Sequence, residues 1–596
     1  MEESTYMNIQ ERDLLKVLYS EKYINQRILA DLSGHSLGVV NRSLKQLLLE
    51  GYINDENQLT QKAENLFRQN APKQAVILAA GFGMRMVPIN LESPKAFLKV
   101  KGEYLIERLI RQLHEVGVHQ IYVVVGFMKE QFEYLIDEFG VKLIVNSEYA
   151  GKNNLHSMKL VSDHFANAYI LPCDIWCRKN PFSREELYSW YMVSDAADEE
   201  SDVRVSRKME LVRTAETSGN AMIGITYLTA QDGASVSERI HQLCGKPAYD
   251  GCFWEEALYN KDRMIISAKV AHASDVVEIN TYEQLRDLDS HSEQLKSDAI
   301  AAIAEKFQVK AKEIVEISVL KKGMTNRSFL FSCKGKKYIM RIPGEGTDQL
   351  ISRRQEADVY QAISGKGICD DPVYINPENG YKITSFLEGV RTCDPLNEED
   401  LKKSMELLRK FHHMSLKVEH EFDIFKQIEF YESLWEGNAS VYRDYEQTKK
   451  NVLELKPYID AHAMEKVLTH IDAVPDNFLF YTGEHGEELQ LTDWEYAGMQ
   501  DPHVDLAMFC IYSFYDRGQV DHLIELYFGG KCDVAVRIKI YCYIAVCGLL
   551  WSNWCEYKRR LGVEFGEYSL RQYRYAKEYY RIVQKELEVQ KESEEV

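Results

Sequence analysis

Residues 75–95 read AVILAAGFGMRMVPINLESPK, and this stretch decides the fold of the middle of the chain. Four apolar residues predict a buried strand that runs directly into a loop of small residues. Backbone N–H groups in such a loop can approach phosphates closely, and Arg85 adds a fixed positive charge. Lys95 follows a proline turn that directs its ammonium toward the same pocket. A tight turn without a ligand would explain the glycines alone, but the whole spacing favours a phosphate site.

Strands and helices alternate on the C-terminal side of this loop. Residues 121–125 and 141–145 are apolar strands, and residues 130–138 between them have a helical pattern. This alternation predicts a parallel sheet with helices on both faces. Residues 194–210 are charged and are predicted to be an exposed excursion.

Two further segments give this region a family resemblance. Leu171–Asp174 is a strand that ends in a carboxylate, and Val277–Asn280 lies near the end of the region. With the glycine loop, residues 74–290 resemble the sugar-phosphate and phosphocholine nucleotidyltransferases. The resemblance implies Mg²⁺ ligands at Asp174 and at Asn280, where related cytidylyltransferases often carry Asp. It also implies nucleotide-binding residues Leu78, Ala79, Ala80, Gly81, Gly83 and Arg85, with Arg85 and Lys95 as catalytic cations.

The acceptor side of this region is more similar to the choline branch of the family. Asn153–Ser157 and Phe253–Glu255 resemble its N-N-x-x-S and aromatic–acid segments, which implies substrate binding by Asn154, Trp254 and Glu255. A quaternary ammonium has no N–H to donate and is held by aromatic faces and a carboxylate. Plain core packing of Trp254 stays open as an alternative. The preference for CTP over UTP depends on the resemblance alone.

The last segment carries a second phosphate-transfer motif. Residues 468–480, LTHIDAVPDNFLF, have the order H-x-D-x-x-x-x-N, and LTDWE at 491–495 supplies another acidic strand end. Asp472 is predicted to orient or deprotonate a substrate hydroxyl, and Asn477 and Asp493 to hold Mg²⁺ on ATP phosphates.

The sequence upstream of this motif is consistent with a kinase fold. A turn between two strands carries Gly323, Thr325 and Asn326, a strand ends in Arg341, and Glu356 lies in the following helix; these five are predicted to bind nucleotide. An ordinary surface pair of Arg341 with Glu356 is the alternative. Residues 298–596 resemble the choline/ethanolamine kinase and aminoglycoside phosphotransferase superfamily, so this segment is expected to be α+β and protein-kinase-like.

A pair of tryptophans indicates the substrate of the kinase-like segment. Trp551 and Trp554 are three residues apart and share one helix face. Choline kinases place such a pair around the trimethylammonium group, and the resemblance adds Glu495 as a substrate-binding residue. Core packing is the alternative explanation of the pair. An aminoglycoside kinase would instead need several carboxylates to pair many amines, so the tryptophan pair favours choline.

The N-terminal residues 1–70 show helix, turn, helix and a short wing, which resembles a winged helix-turn-helix domain. They hold eight Lys and Arg against ten Asp and Glu, yet Arg27, Arg42 and Lys45 can still face DNA. DNA reading and a docking or dimerisation role both stay open.

Composition limits the remaining possibilities. The net charge of −20 argues against a protein whose main surface binds nucleic acid or membrane. Twelve cysteines without a C-x-x-C pair, and an N-terminus without a signal pattern, predict reduced thiols in the cytoplasm. Residues 540–555 are short for a membrane span and are predicted to form a buried helix.

Together the segments predict a bifunctional, magnesium-dependent enzyme in three domains, 1–70, 74–290 and 298–596. It would phosphorylate choline with ATP and then transfer a cytidylyl group from CTP to phosphocholine, giving CDP-choline. Ethanolamine or another small amino alcohol is an alternative substrate. A DNA-binding regulator with enzyme-like sensor domains is the alternative class, and a homo-oligomer is possible.

Overall fold

The computed structural model describes residues 7–81, 86, 88–89, 93–149, 151–199, 201–215, 218–320, 326–344, 350–483, 486–560, 563 and 565–594. The chain folds into two compact units, residues 1–301 and 302–596. The first contains a small helical part and a large α/β part. The second contains a small antiparallel sheet and a large helical part.

The first unit begins with four helices, and the predicted helix-turn-helix is confirmed. Asn8 caps the first helix through a reciprocal bond with Glu11, and Gly34 makes the turn with φ 71°. The predicted wing is reduced to one bridge between Ile53 and Leu59. The helices are α1 Ile9–Ser20, α2 Gln26–Ser33, α3 Leu37–Leu49 and α4 Gln61–Asn70.

A ten-stranded sheet forms the centre of the first unit, in the order β5-β4-β1-β6-β11-β8-β13-β10-β9, with β12 beside β13. The strands of the unit are β1 Gln74–Ala79, β2 Lys99–Val100, β3 Glu103–Tyr104, β4 Gln120–Val125, β5 Lys142–Val145, β6 Ala168–Pro172, β7 Ile175–Cys177, β8 Trp190–Asp198, β9 Val203–Val205, β10 Glu210–Arg213, β11 Gly219–Leu228, β12 Tyr259–Asn260, β13 Arg263–Ala271 and β14 Val276–Glu278. Of these, β2 with β3 and β7 with β14 form two separate two-stranded sheets. The helices are α5 Leu105–Glu115, α6 Tyr134–Phe139, α7 Asn154–Lys159, α8 Ala230–Cys244 and α9 Tyr282–Leu288.

One expectation about this sheet is confirmed and one is wrong. The strands β5, β4, β1 and β6 form the predicted parallel block, and β11 joins β6 antiparallel, so the sheet as a whole is mixed. Residues 194–210 are not an excursion: they contain the end of β8 and all of β9. Val203 is buried, although many of the side chains around it are exposed, as their charges indicate.

The second unit opens with a five-stranded antiparallel sheet in the order β15-β16-β17-β19-β18. Its strands are β15 Val315–Val319, β16 Asn326–Cys333, β17 Lys336–Pro343, β18 Tyr374–Ile375 and β19 Lys382–Ser385, followed by β20 Arg391–Thr392, β21 Val467–Thr469, β22 Phe478–Gly483, β23 Gly486–Leu491 and β24 Gly498–Gln500. Its helices are α10 Asp298–Phe307, α11 Arg353–Ile363, α12 Glu398–His413, α13 Ile424–Ser433, α14 Tyr445–Leu453, α15 Lys456–His462, α16 His503–Tyr512, α17 Arg517–Phe528, α18 Val534–Arg560 and α19 Glu567–Glu594.

Among the described residues, helix α18 is the one helix that is long and apolar enough to cross a membrane. Its apolar 18-residue window has a mean hydropathy of 1.7, but 78% of that window is buried inside the protein. The prediction of a buried helix over residues 540–555 is therefore confirmed. One or two helices of this kind are weak evidence for a membrane, since core helices have the same composition.

Candidate active sites

The first candidate centre lies where β6 ends. Lys95 Nζ is 3.1 Å from Asp174 Oδ2 and 2.7 Å from Asn280 Oδ1. A short 3₁₀ turn after Pro94 positions Lys95, and Asp174 directly follows the β6–Cys173 segment. The Ile279 N–H donates to the Asp174 carbonyl, which holds the chain before Asn280 against the strand end. The structure thus brings together three of the residues that the sequence singled out.

Two oxygen atoms of this centre can accept a hard cation. Asp174 Oδ1 is buried and has no hydrogen-bond partner among the described residues. A carboxylate oxygen and an amide oxygen are ligands that Mg²⁺ takes readily. Lys95 is the cation between them in this structure, and its side chain is only 12% exposed. The donor set therefore fits a magnesium ion held by Asp174 and Asn280.

Glu278 is a residue of this centre that the sequence reasoning missed. Burial raises the pKa of Glu278 to about 7, and the Asp174 charge adds to this, while the Asn280 hydrogen bond and Lys95 lower it. The signal was present in the sequence: Glu278 and Asn280 are two residues apart at a strand end, where alternate side chains point the same way.

The predicted acceptor residues also meet, around a second buried carboxylate. The Tyr191 hydroxyl donates to Glu255 Oε1 at 3.0 Å, and Glu255 Oε2 has no partner among the described residues. Burial raises the pKa of Glu255 to about 7, against the bonds from Tyr191 and Trp254. The Trp254 backbone N–H donates to Asn154 Oδ1 at 2.7 Å, so the start of α7 fixes this segment.

The structure differs from the prediction for the ring of Trp254. Its side chain is 2% exposed and packs in the apolar core under the sheet, so no ring face is open to a ligand. The packing alternative describes it correctly. Its neighbour Phe253 is 58% exposed, so the side chain of Phe253 lies at the surface.

The glycine loop is described only at its first residues. Leu78 and Ala79 end β1, and the Ala80 carbonyl accepts from the Phe127 N–H at 3.2 Å before Gly81 follows. The predicted residues Gly83 and Arg85 lie outside the described residues, as do Gly323 and Thr325 of the second unit.

The second candidate centre is the loop after β21. Asn477 Nδ2 donates to Asp472 Oδ2 at 3.1 Å and to the Asp472 carbonyl at 2.8 Å. Asp505 accepts the backbone N–H groups of His470 and Ile471 at 3.0 and 2.7 Å. Those bonds hold Ile471 at φ 71°, a conformation that a β-branched residue rarely adopts. The loop is therefore fixed before any substrate binds.

Asp472 lies in surroundings that favour the protonated form of its carboxyl group. Burial raises the pKa of Asp472 well above its usual range, and the charges of Asp493 and Glu495 raise it further, against the Asn477 hydrogen bond. Several carboxylates around one point with few cations between them favour a bound metal ion or a proton acceptor role.

Arg341 and Glu356 form a buried bidentate pair, not a surface one. The two guanidinium nitrogens of Arg341 lie 2.5 and 2.7 Å from the two carboxylate oxygens of Glu356, and both residues are buried. Glu495, expected to bind substrate, instead accepts from Asn326 at 2.8 Å and lies 3.4 Å from Arg353. It therefore belongs to the side of the site that carries the predicted nucleotide residues.

A cavity of about 740 Å³ joins these residues to an aromatic end. Trp551 and Trp554 line it, with ring centroids 5.5 Å apart at 82°, and the Trp551 N–H donates to Met508 Sδ. The sequence reasoning missed the other rings of this end, because they come from three distant parts of the chain; they are Tyr496, Tyr512, Phe514, Phe565 and Tyr568.

Comparison with known families assigns a type to each part of the chain. Residues 7–54 match the model of the winged helix-turn-helix DNA-binding domain. Residues 75–208 match the MobA-like NTP transferase domain, and residues 317–521 match choline/ethanolamine kinase. The predicted order of three fold types is therefore confirmed.

Individual relatives agree with these family models. The chain is 28% identical over 230 residues to a choline-phosphate cytidylyltransferase of Streptococcus pneumoniae, covering 36% of this chain and 96% of that protein. It is 30% identical over 162 residues to one of Haemophilus influenzae, covering 26% of this chain and 70% of that protein. Over 272 residues it is 26% identical to Protein LicA of Haemophilus influenzae, covering 42% and 95%.

Proposed function

The chain belongs to the choline-phosphate cytidylyltransferase family, and because a kinase domain follows in the same chain, we propose that it makes CDP-choline from free choline. The kinase would transfer the terminal phosphoryl group of ATP to the choline hydroxyl. The transferase would then join phosphocholine to the cytidylyl group of CTP and release pyrophosphate. The observation that carries the proposal is the presence of two separate centres, the first of which would use the product of the second.

In the kinase step, we propose that the hydroxyl oxygen of choline attacks the terminal phosphorus of ATP while Asp472 accepts the proton of that hydroxyl. Asn477 orients Asp472 through its amide, and Arg341, held by Glu356, binds the phosphates. Asn477 and Asp493 would hold Mg²⁺, which supplies positive charge to the phosphates when bound. The raised pKa of Asp472 supports its role as proton acceptor.

In the transfer step, we propose that a phosphate oxygen of phosphocholine attacks the α-phosphorus of CTP and that pyrophosphate leaves. Asp174 and Asn280, with Glu278 beside them, would hold the magnesium ion. Lys95 would stabilise the negative charge that develops on the phosphates, because its ammonium is held at this point by two oxygen acceptors.

Ethanolamine is a second candidate, and one observation favours it. Glu255 Oε2 is buried without a partner in the described part of the chain, and the Trp254 ring is closed off. A primary ammonium can donate an N–H to this oxygen, whereas a trimethylammonium cannot. The aromatic end of the kinase cavity, which Trp551 and Trp554 line, instead favours choline.

One experiment separates these possibilities and the two centres. The whole protein is incubated with Mg²⁺, ATP, CTP and either choline or ethanolamine, and products are followed by phosphorus NMR. We expect CDP-choline from choline. Asp472→Ala should abolish the use of free choline and spare added phosphocholine, and Asp174→Ala should stop the reaction at phosphocholine. A folded variant that loses both steps would contradict the assignment of two sites.

For the N-terminal domain, residues 1–70, we propose DNA binding through α3. Lys16 Nζ lies 2.7 Å from the buried Glu186, and the Tyr188 hydroxyl donates to Asp13 at 2.9 Å, so α1 docks on the transferase part. Arg42 and Lys45 on α3 stay exposed. A mobility shift at low salt tests this proposal, and its absence would favour a pure docking role.

We also assign the transferase to residues 74–290 and the kinase to residues 298–596, and we propose a cytoplasmic location. All twelve cysteines are free thiols, which suits a reducing compartment.

A further inference from the structure

Acidic side chains outnumber basic ones along the lining of the kinase cavity. Among its described lining residues the carboxylates are Asp370, Asp472, Asp476, Asp493 and Glu495, and the cations are Arg341 and Lys382. With five acidic and two basic groups, the cavity has an excess of negative charge. Where that excess lies decides what kind of ligand the cavity can take.

Three of the five carboxylates already face a cation. Asp370 lies 3.2 Å from Lys382, and Asp493 and Glu495 each lie 3.9 Å from Arg341. A fourth, Asp472, accepts the Asn477 amide and is assigned to the substrate hydroxyl. These four therefore belong to the nucleotide and to the reacting oxygen.

Asp476 is the remaining carboxylate. In the part of the chain that the structure describes, its hydrogen-bond partner is a neutral group, the Tyr512 hydroxyl at 2.6 Å. Burial raises the pKa of Tyr512, and the Asp476 hydrogen bond and charge raise it further, so the phenol stays protonated and donates. Asp476 is exposed, so this bond holds the carboxylate in place while its charge faces solvent and no cation of the described residues.

Local geometry directs Asp476 toward the aromatic end. One 3₁₀ turn, Pro475–Asn477, carries both side chains: Asn477 points back to Asp472, while Asp476 reaches Tyr512. The Tyr512 ring lies 6.0 Å from Tyr568 at 66°, and both rings line the cavity that Trp551 and Trp554 line.

Aromatic faces attract a cationic head group, but they do not neutralise it. A charge that leaves water needs an opposite charge close by. The expected counter-charge in this cavity is a carboxylate at the aromatic end that no lysine or arginine already pairs. Asp476 meets this description, and it was not among the residues that the sequence singled out.

We propose that Asp476 is the counter-charge for the ammonium group of the kinase substrate and that it determines selectivity for cationic over neutral alcohols. This inference depends on the proposed kinase function and adds a specificity residue to it. The substrate class is a small alcohol with one permanent or protonated ammonium group, two carbons from the reacting hydroxyl.

The test compares choline with its uncharged isostere 3,3-dimethyl-1-butanol, in which carbon replaces nitrogen. We expect Asp476→Asn to raise the KM for choline about tenfold or more and to leave the KM for the neutral alcohol and for ATP within twofold. Glu465→Gln, which removes a surface charge that is 80% exposed, is the matched control and should change none of these constants.

Equal changes for choline and the neutral alcohol would overturn the inference, because they would indicate a packing role for Asp476. An unchanged KM for choline would overturn it as well. Binding of tetramethylammonium, followed by tryptophan fluorescence in the whole protein, needs no turnover: Asp476→Asn should weaken it about tenfold. If the unmodified protein binds this ion more tightly than the variant but does not phosphorylate choline, the proposed function fails and the counter-charge stands. Equal binding by both proteins refutes the counter-charge.

Discussion

Replacing Glu356 with Gln should destabilise the second unit and impair ATP use together. The change keeps the size of the side chain but leaves the buried Arg341 without its bidentate partner. Breaking a buried ion pair by removing one partner costs about 3–5 kcal/mol. Asp493 and Glu495 remain 3.9 Å from Arg341, so we expect a smaller loss of about 2–3 kcal/mol.

The assay is calorimetry of the whole chain. ATP binding raises the midpoint temperature of the kinase unfolding transition, and this identifies which transition belongs to the kinase. For a unit of this size, each kcal/mol lost lowers the midpoint temperature by about 2 °C, so the kinase midpoint should fall by about 5 °C. Arg341 would also turn toward the two remaining carboxylates, so the KM for ATP should rise about tenfold. Cytidylyl transfer to added phosphocholine should not change.

Glu378→Gln is the matched control, because Glu378 pairs with Arg354 on the surface of the same helix, α11. An exposed pair contributes about 0–1 kcal/mol, so this variant should melt within about 1 °C of the unmodified protein. If Glu356→Gln behaves like Glu378→Gln in both stability and KM, Arg341 is not held by Glu356 and the reasoning is refuted.

Three further predictions concern the first unit. Lys95→Met should lower the kcat of cytidylyl transfer about 100-fold and leave choline phosphorylation unchanged; equal loss of both steps, measured separately, would contradict the assignment. The KM for phosphocholine should fall as the pH rises through about 7, since Glu255 loses its proton there and then attracts a cationic acceptor. Glu255→Gln should remove that part of the pH profile, and an unchanged profile would exclude Glu255. Lys16→Met should destabilise the docked α1 by about 1–2 kcal/mol, because Glu186 stays buried without its cation, and hydrogen exchange in α1 measures this.

The sequence predicted those parts of the sites whose residues lie close together in a motif. The spacing of Asp472 and Asn477 places them in one loop, and the strand ends at Asp174 and Asn280 meet at Lys95. Such motifs are readable because short-range backbone geometry fixes the relative positions of their side chains.

Other features depend on packing between distant elements and could not be predicted from any one short stretch of sequence. The rings of Tyr512 and Tyr568 reach the kinase cavity from α16 and α19, 56 positions apart. Trp254 was expected to show a ring face, but its surroundings bury it. Residues 194–210 were expected to be an excursion because many of their side chains are charged, yet their backbone pairs within the sheet through β8 and β9.

The buried position of α18 has a consequence for the folding of the chain during its synthesis. This helix, Val534–Arg560, contains a long apolar window, and its neighbours α13, α16 and α19 cover it. Synthesis proceeds from the N-terminus, so α13 and α16 have left the ribosome when it emerges, whereas α19 has not. Translation that stops just after residue 560 would therefore release a protein whose apolar helix lacks the part of its cover that α19 provides, and such truncated chains should depend on chaperones far more than the full-length product.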